Sequence, residues 1–282
     1  MEFSDFEEHY KRKLGGFIAT LGEPVIPSSD EVKRVWEERV KILPERSLLY
    51  VNNIKDQKTP YWYNSKLLGY EPEELQNWDD FKHLIHPSQQ RILWYIYTSI
   101  FQILQEFKHE LSSMNFYYTV LRSMKDKWGR TWLGYQNSEV FQFDKDYNIV
   151  SYITQFQIIS EYSGEPLVVK FHKRSDSLKE TSEVAESMNK EIKSRLKSDE
   201  LLKHLGYTRY EQDILFHIKM ASFPGDKELA KYFRVTVKAI EGVSTRIIKK
   251  TNDLFPLDSG SVKKRFKSKN DIVLFFIKMN II

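Results

Sequence analysis

Residues 226–251, DKELAKYFRVTVKAIEGVSTRIIKKT, decide the fold of the C-terminal part of this chain. Asp226–Tyr232 and Val237–Thr251 have apolar residues at helical spacing, and Arg234–Thr236 between them has the length of a tight turn. The stretch therefore predicts two helices joined by three residues. In the second helix we expect the apolar residues to face inwards and the polar and cationic residues to face outwards.

The flanking residues extend this stretch into an all-helical domain over residues 200–282. Tyr207–Met220 has helical periodicity, with Thr208 as its predicted cap and Glu211 placed three residues later to complete a capping box. Asn270–Asn280 predicts a last apolar helix after a very basic segment that contains Pro and Gly.

The charge of the chain is unevenly distributed along its length. Residues 201–282 contain 16 Lys and Arg against eight Asp and Glu, whereas the whole chain contains 43 against 39. The C-terminal domain is therefore basic and the remainder is mildly acidic. This asymmetry predicts a polyanionic partner for the C-terminal domain alone.

The C-terminal domain resembles the bacterial LuxR/GerE family of helix-turn-helix proteins. The resemblance is carried by Thr208 and Glu211 with an Asp-Ile-Leu two residues later, by the Lys-Glu-Leu-Ala at residues 227–230, and by the Val-Thr at residues 235–236. It implies a domain that binds double-stranded DNA, as a homodimer on two half-sites, with the helix at Val237–Thr251 in the major groove.

The register of this resemblance is decided by spacing. Thr236-Val237-Lys238 looks like the Thr-Val-Lys of the family, but counting from Glu228 places that motif at Ala239-Ile240-Glu241. The resemblance then implies that Glu241 faces phosphate or bases. A carboxylate repels phosphate but accepts a hydrogen bond from a cytosine amino group, so we expect a DNA sequence that differs from the family norm.

We predict that DNA contacts come from the outer face of the second helix of the pair and from the basic segment after it. Each cation that contacts a phosphate would steepen the dependence of affinity on salt. The alternative is a basic helical domain that binds protein, such as RNA polymerase or a partner regulator. The predicted contact residues are Thr236, Lys238, Glu241, Ser244, Thr245, Arg246, Lys249, Lys250, Lys263, Lys264 and Arg265.

Residues 45–160 predict an α+β domain with helices and an antiparallel sheet, because alternating apolar runs are separated by polar turns. Two strands precede short helical turns and a long apolar helix near residues 89–109, and three strands follow it. The predicted strands are Leu48–Val51, Thr59–Tyr63, Phe116–Arg122, Thr131–Phe143 and Ile149–Ser160.

This order of elements resembles a PAS domain, with Leu68-Gly69-Tyr70 after the short helices and His86-Pro87 before the long one. The resemblance implies a domain that senses a small-molecule ligand or a partner, or that dimerises. Another α+β domain, with a cystatin-like or GAF-like sheet, is the alternative.

Two further segments complete the predicted organisation. Residues 1–44 form an N-terminal helical extension, in which Ser28 and Glu31 are spaced as a capping box. Residues 161–199 form a helical linker. Within it, residues 176–197 contain neither Gly nor Pro and have a narrow apolar stripe, which suits a solvated helix or a short two-stranded coiled coil.

Several classes of protein are excluded by what the sequence lacks. Without Cys it forms neither a disulfide nor a cysteine metal site. No apolar stretch is long enough to cross a membrane, and the charged first residues do not form a secretory leader, so a cytoplasmic location without membrane contact is expected. Neither a phosphate-binding Gly loop nor an HExxH or GxSxG motif is present, so we expect no catalysis and no cofactor.

Two local patterns allow more than one interpretation. His83 and His86 have a spacing that could place them on one helical face, but Pro87 ends such a helix and no third ligand is evident, so we expect no metal. The aromatic clusters at residues 61–63 and 116–118 could line a pocket or simply pack in the sheet. Together these features predict a DNA-binding transcription regulator, and the alternative is a non-enzymatic adaptor that holds a protein partner.

Overall fold

The structure is a computed structural model that describes residues 8, 12, 14–25, 29–111, 116–165, 167–173, 182–196, 199–255 and 265–279. The chain divides into two compact units between Ile192 and Lys193. The first contains an antiparallel sheet with helices, and the described part of the second is helical, which confirms the predicted fold class. The finer domain bounds, at residues 45, 161 and 200, stay predictions.

Six strands among the described residues form one sheet in the order β2-β1-β5-β4-β3-β6, and every pair of neighbours is antiparallel. The first five strands match the predicted ones to within a few residues at their ends. The strands are β1 (Ser47–Asn53), β2 (Lys58–Tyr63), β3 (Phe116–Lys125), β4 (Thr131–Phe143), β5 (Ile149–Glu161) and β6 (Val168–Lys173).

The two predicted polar turns on either side of β4 are present, and each is built on an aspartate. Asp126 accepts hydrogen bonds from the N–H groups of Trp128 and Arg130 at 3.0 and 2.8 Å. Asp144 accepts from the N–H groups of Asp146 and Asn148 at 2.9 and 2.8 Å. An aspartate that bonds its own backbone two and four residues later fixes a tight reversal, and so fixes the register of β3, β4 and β5.

Both faces of the sheet are covered by other elements, as the side chains of β1 illustrate. Leu49 and Val51 pack on one face with Val32 of helix α1 (Ser29–Lys41). Leu48 and Tyr50 point to the opposite face, because successive side chains of a strand alternate. A strand that is buried on both faces has a continuous apolar run rather than an alternating one. The predicted cap Ser28 lies outside the described residues.

The face of the sheet that contains Tyr50 is covered by short 3-10 helices and by a long α-helix. The short helices are Ser65–Leu68, Pro72–Leu75 and Asp80–Leu84. The long helix α2 (Pro87–Glu106) begins with proline, whose missing N–H costs nothing in the first turn, and α3 (Lys108–Leu111) follows it. The apolar sides of α2 are buried, as predicted.

Strand β6 was not expected, because residues 161–199 were predicted to be a helical linker. It pairs with β3 from Phe116↔Lys173 to Leu121↔Val168 and extends the sheet by one strand. Helix α4 (Ser182–Leu196) then follows. Asn189 of α4 accepts from the N–H of Phe171 and donates to its carbonyl at 2.9 and 2.8 Å, so it occupies backbone groups of the edge strand.

The apolar stripe of α4 is buried inside this chain. Met188 and Ile192 are both fully buried, and Ala185 is nearly so. The part of the stripe at Leu178 lies outside the described residues. In this conformation the stripe packs within the chain, and the two-stranded coiled coil stays a prediction.

The second unit contains five helices among its described residues: α5 (Asp199–His204), α6 (Arg209–Met220), α7 (Asp226–Phe233), α8 (Val237–Leu254) and α9 (Lys269–Lys278). Thr208, Thr236 and Ser268 cap α6, α8 and α9, since each hydroxyl accepts an N–H from the first turn of its helix. Helix α7 packs against α8, and α9 packs against both α6 and α8.

Candidate functional site

The first candidate site is the outer face of α8. Its inner face is apolar and buried, with Ile240, Val243 and Ile247 almost inaccessible to solvent. The link from α7 is the predicted three-residue turn. Arg234 adopts a left-handed conformation with φ of 54°. The N–H of Val235 donates a hydrogen bond to the carbonyl of Ala230 in α7 at 3.0 Å. This geometry holds α7 against the buried side of α8 and leaves the other side open.

The open side contains most of the predicted contact residues. Thr236 and Thr245 each use the hydroxyl group within the helix, since Thr236 accepts from Ala239 N and Thr245 donates to the carbonyl of Glu241. Both remain exposed. The predicted contact residues on the open side of α8 are Thr236, Lys238, Glu241, Thr245, Arg246 and Lys249.

The cations on this face lie in two places, at the N-terminal end of α8 and further along the helix. Lys238 lies in the first turn of α8, which contains no acidic residue, and exposed Arg234 lies three residues before the helix begins. Unpaired N–H groups and the helix dipole make this end attractive to a phosphate. Arg246 and Lys249 add positive charge further along, while Glu241 and Asp253 add exposed negative charge.

Two predicted contact residues lie elsewhere. The side chain of Ser244 is buried, so its predicted place on the outer face is wrong. Lys250 is partly exposed, and its Nζ donates to Oε2 of Glu211 at 2.5 Å and to the carbonyl of Gly206 at 2.8 Å. It also lies 5.1 Å from the ring centroid of Tyr207. Lys250 therefore connects α8 to α6, and its role in DNA contact stays a prediction.

The basic segment before α9 is described only in part. Lys263 and Lys264 lie outside the described residues. Arg265 is half-buried, with its guanidinium 4.5 Å from the ring centroid of Phe275 and 5.3 Å from that of Phe266. Arg265 thus contributes a stacking contact to the packing of α9 in addition to its charge.

Gly242 lies on the open side of α8, and a Cβ added there would meet nothing within 4 Å. Packing inside the chain therefore does not require glycine at this position. Glycine in a helix interior costs about 1 kcal/mol relative to alanine. A surface that approaches α8 from outside would benefit from the missing side chain.

The second candidate site is a cavity of about 70 Å³ in the first unit, between α2 and the sheet. Its walls are mainly aromatic and aliphatic. Leu14, from the segment that precedes α1, contributes to them. The aromatic walls are formed by Tyr50, Trp78, Phe81, Trp94, Tyr97, Phe101 and Tyr152.

Arg122 of β3 lines this cavity and is only 2% exposed. Its Nε donates to Oε1 of Gln136 at 2.6 Å, and its terminal nitrogens donate to the carbonyl of Ser123 at 3.1 Å and to the hydroxyl of Tyr50 at 3.3 Å. The guanidinium also lies 5.1 Å from the ring centroid of Phe156. Each of these partners is a neutral group.

Gln136 is held in one orientation by its neighbours. Its Oε1 accepts from Arg122 and from the hydroxyl of Tyr97 at 2.8 Å, and its Nε2 donates to Oγ of Ser138 at 3.0 Å. Burial raises the pKa of Tyr97, and it raises the pKa of Tyr50 to about 12. Both phenols are therefore neutral at physiological pH, and neither supplies a negative charge to Arg122.

The sequence patterns that suggested a pocket or a metal lie outside this cavity. The aromatic residues at 61–63 and 116–118 do not line it. Buried His86 instead packs against Tyr162, with the rings tilted by 51° and their centroids 5.2 Å apart. Among the residues that the structure describes, no group of three His, Asp or Glu side chains is placed to hold a metal ion.

Sequence reasoning missed Arg122, although a signal was present. Tyr118, Val120 and Met124 are buried at alternate positions of β3, and Arg122 occupies the same register. A charged residue at an inward-facing position of a strand is uncommon unless it is paired, and it marks a candidate site.

No helix in the described part of the chain is long and apolar enough to span a bilayer. The chain matches no family model and no curated protein.

Solved structures show distant likenesses. The chain is similar to the N-terminal PAS/PAC sensor domain of a diguanylate cyclase from Marinobacter aquaeolei, at 15% identity over 40% of this chain and 95% of that chain, with a TM-score of 0.30. It is similar to a phage VqmA in complex with DPO, at 10% identity over 90% and 92%, with a TM-score of 0.28. It is also similar to the Vibrio cholerae VqmA dimer, a LuxR-type receptor, at 12% identity over 89% and 87%, with a TM-score of 0.27.

Proposed function

We propose that this chain is a cytoplasmic transcription regulator that binds double-stranded DNA through α8 and senses a small molecule in the cavity of its first unit. The second unit would act as a homodimer on two half-sites, as helix-turn-helix proteins do. Once bound to DNA, the chain would contact RNA polymerase. The state of the sensing unit would change how the two DNA-binding units of the homodimer are spaced.

The observation that carries this proposal is the division of α8 into two faces. Three of its apolar residues are buried, while Lys238, Arg246 and Lys249 are exposed. The tight turn before α8 holds α7 against the buried side of the helix. A helix of 18 residues with one free face has the dimensions of an element that enters a major groove. The basic balance of residues 201–282 supplies the general attraction to phosphate.

Individual residues would then have separate roles. Lys238 and the N-terminal end of α8 would hold a phosphate, since that end is positive and contains no acid. Arg246 and Lys249 would contact phosphate or base edges further along. Glu241 would accept from a cytosine amino group, which makes the protein select a sequence rather than bind all DNA equally.

A titration of labelled duplex DNA with the full chain tests the proposal. Fluorescence anisotropy of a mixed-sequence duplex at about 50 mM salt should give a dissociation constant on the order of 1–100 μM, and the affinity should fall steeply as salt rises towards about 200 mM. Absence of binding at the upper end of that range would contradict the proposal.

A protein-binding adaptor is the second candidate, and one surface of the same unit favours it. Met220 and Tyr232 are 79% and 62% exposed, and the ring of Tyr232 stacks on His217 with centroids 3.6 Å apart. Large apolar side chains grouped at the surface are typical of protein interfaces. The variant Tyr232→Ala would leave DNA affinity unchanged and weaken capture of a protein partner if this surface serves an adaptor.

A further inference from the structure

Arg122 is a buried cation for which the described part of the chain provides no anion. Its partners are a glutamine oxygen, a backbone carbonyl, a phenol and an aromatic face. By contrast, two other arginines of this unit have acids: Arg39 pairs with Glu139 at 2.6 Å, and Arg130 with Asp126 at 2.8 Å. A charge removed from water normally requires an opposite charge nearby.

The hydrogen bonds of Arg122 leave room for such an anion. A guanidinium has five N–H groups, and the three bonds described use the one on Nε and one on each terminal nitrogen. One N–H on each terminal nitrogen therefore has no partner among the described residues. Two N–H groups on a planar fork match the two oxygens of a carboxylate.

The cavity that Arg122 lines limits the size and character of the anion. Its volume of about 70 Å³ exceeds the roughly 10–15 Å³ that one water molecule needs, so it has space for a small ligand. Aromatic walls, including Trp78 and Trp94, surround the remaining space and favour an apolar body.

We propose that this cavity binds a short-chain monocarboxylate, with its carboxylate on Arg122 and its alkyl chain among the aromatic walls. The inference deepens the proposed sensing function and rests on it for its biological meaning. It specifies one negative charge, because Arg122 is the cation that lines the cavity and a second carboxylate would be buried unpaired.

The groups around Arg122 are arranged to accept such a ligand without rearrangement. Gln136 is fixed by Tyr97 and Ser138, so its oxygen keeps Nε of Arg122 occupied, and the remaining N–H groups on the terminal nitrogens are the ones a ligand would use. Tyr50 and Tyr97 are neutral at physiological pH, so they do not repel an anion. The ligand would therefore supply the counter-charge that the described residues do not provide.

Titration of the full chain with butyrate and propionate, without DNA, tests the inference. Matched titrations with butyramide and propionamide keep the size and remove the charge. Tryptophan fluorescence reports binding, since Trp78 and Trp94 line the cavity, and calorimetry confirms it. The acids should bind at least about tenfold more tightly than the amides, as expected for two charge-assisted hydrogen bonds. Equal affinity of acid and amide, or absence of binding by both acids, overturns the inference.

Two variants locate the site. Arg122→Gln removes the cation and should abolish acid binding. Gln136→Glu keeps Arg122 and gives it a carboxylate from within the chain, so the fold should be retained while acid binding is lost. Unchanged butyrate affinity in a folded Gln136→Glu variant overturns the inference. Because none of these measurements involves DNA, their failure is distinct from a failure of the DNA-binding proposal.

Discussion

Lys250 of α8 donates from Nζ to Oε2 of Glu211, in the first turn of α6, over 2.5 Å. Glu211 is itself buried and also accepts from the N–H of Thr208 at 2.8 Å. The pair joins residues that are 39 positions apart, so a cation expected at a DNA surface instead connects two helices of the unit.

The variant Lys250→Met should therefore destabilise the second unit. Loss of the cation leaves the buried carboxylate of Glu211 without its charged partner, and the free energy of unfolding should fall by about 1–3 kcal/mol. Urea denaturation followed by circular dichroism measures this. Exposed Lys249→Met is the matched control and should change stability by less than about 0.5 kcal/mol. Equal effects of the two variants would show that the pair contributes nothing.

The stability of the second unit should depend on pH through Glu211. Burial alone would raise the pKa of Glu211, but the hydrogen bonds from Lys250 and from the N–H of Thr208 outweigh it and lower that pKa. A carboxyl whose pKa is lower in the folded state contributes stability above its unfolded pKa of about 4.3, and this contribution is lost as pH falls through the folded pKa.

Denaturation curves between about pH 6 and 3 measure this dependence. The variant Glu211→Gln cannot ionise, so its stability should fall less steeply over this range than that of the unaltered protein. The same slope in both proteins would mean that Glu211 has no net preference for its charged form in the folded state.

Glu241→Lys should strengthen binding to DNA of arbitrary sequence. The change replaces an exposed negative charge on the open face of α8 with a positive one, and one further phosphate contact should raise the salt slope by about one unit. Anisotropy titrations at several salt concentrations provide the slope. Weaker binding would place Glu241 away from the phosphates.

Gly242→Ala should raise the stability of the second unit and weaken its binding to DNA. The added Cβ meets nothing inside the chain, so the helix should gain up to about 1 kcal/mol of stability. If DNA approaches the open face closely, the same methyl group should weaken DNA binding. A variant that is both more stable and unchanged in DNA affinity would show that the contact surface lies elsewhere on the unit.

Local patterns predicted most of the fold. The caps Thr208 and Thr236 act within three residues of themselves, and the turns at Asp126 and Asp144 do the same, so the sequence contains the information for each. Ser244 is polar but lies four residues after buried Ile240, at inward helical spacing, so its position and not its polarity determines its burial.

Contacts between distant residues account for what sequence reasoning missed. Strand β6 depends on a free edge of β3, about 50 residues earlier, and its six residues have no strong pattern of their own. Lys250 has the sequence position of a surface lysine, and its partner Glu211 becomes apparent only when α6 and α8 pack. The cavity at Arg122 likewise combines residues of several strands and helices.

The central claim is that the open face of α8 binds DNA, and a charge-matched comparison tests it most directly. Arg246→Gln with Lys249→Gln removes two exposed cations from that face, and Lys33→Gln with Arg34→Gln removes two exposed cations from α1. In anisotropy titrations of the full chain, the α8 pair should lower DNA affinity at least about tenfold and reduce the salt slope by about two, whereas the α1 pair should change little. Equal losses in both would reduce the interaction to general charge attraction and contradict the account.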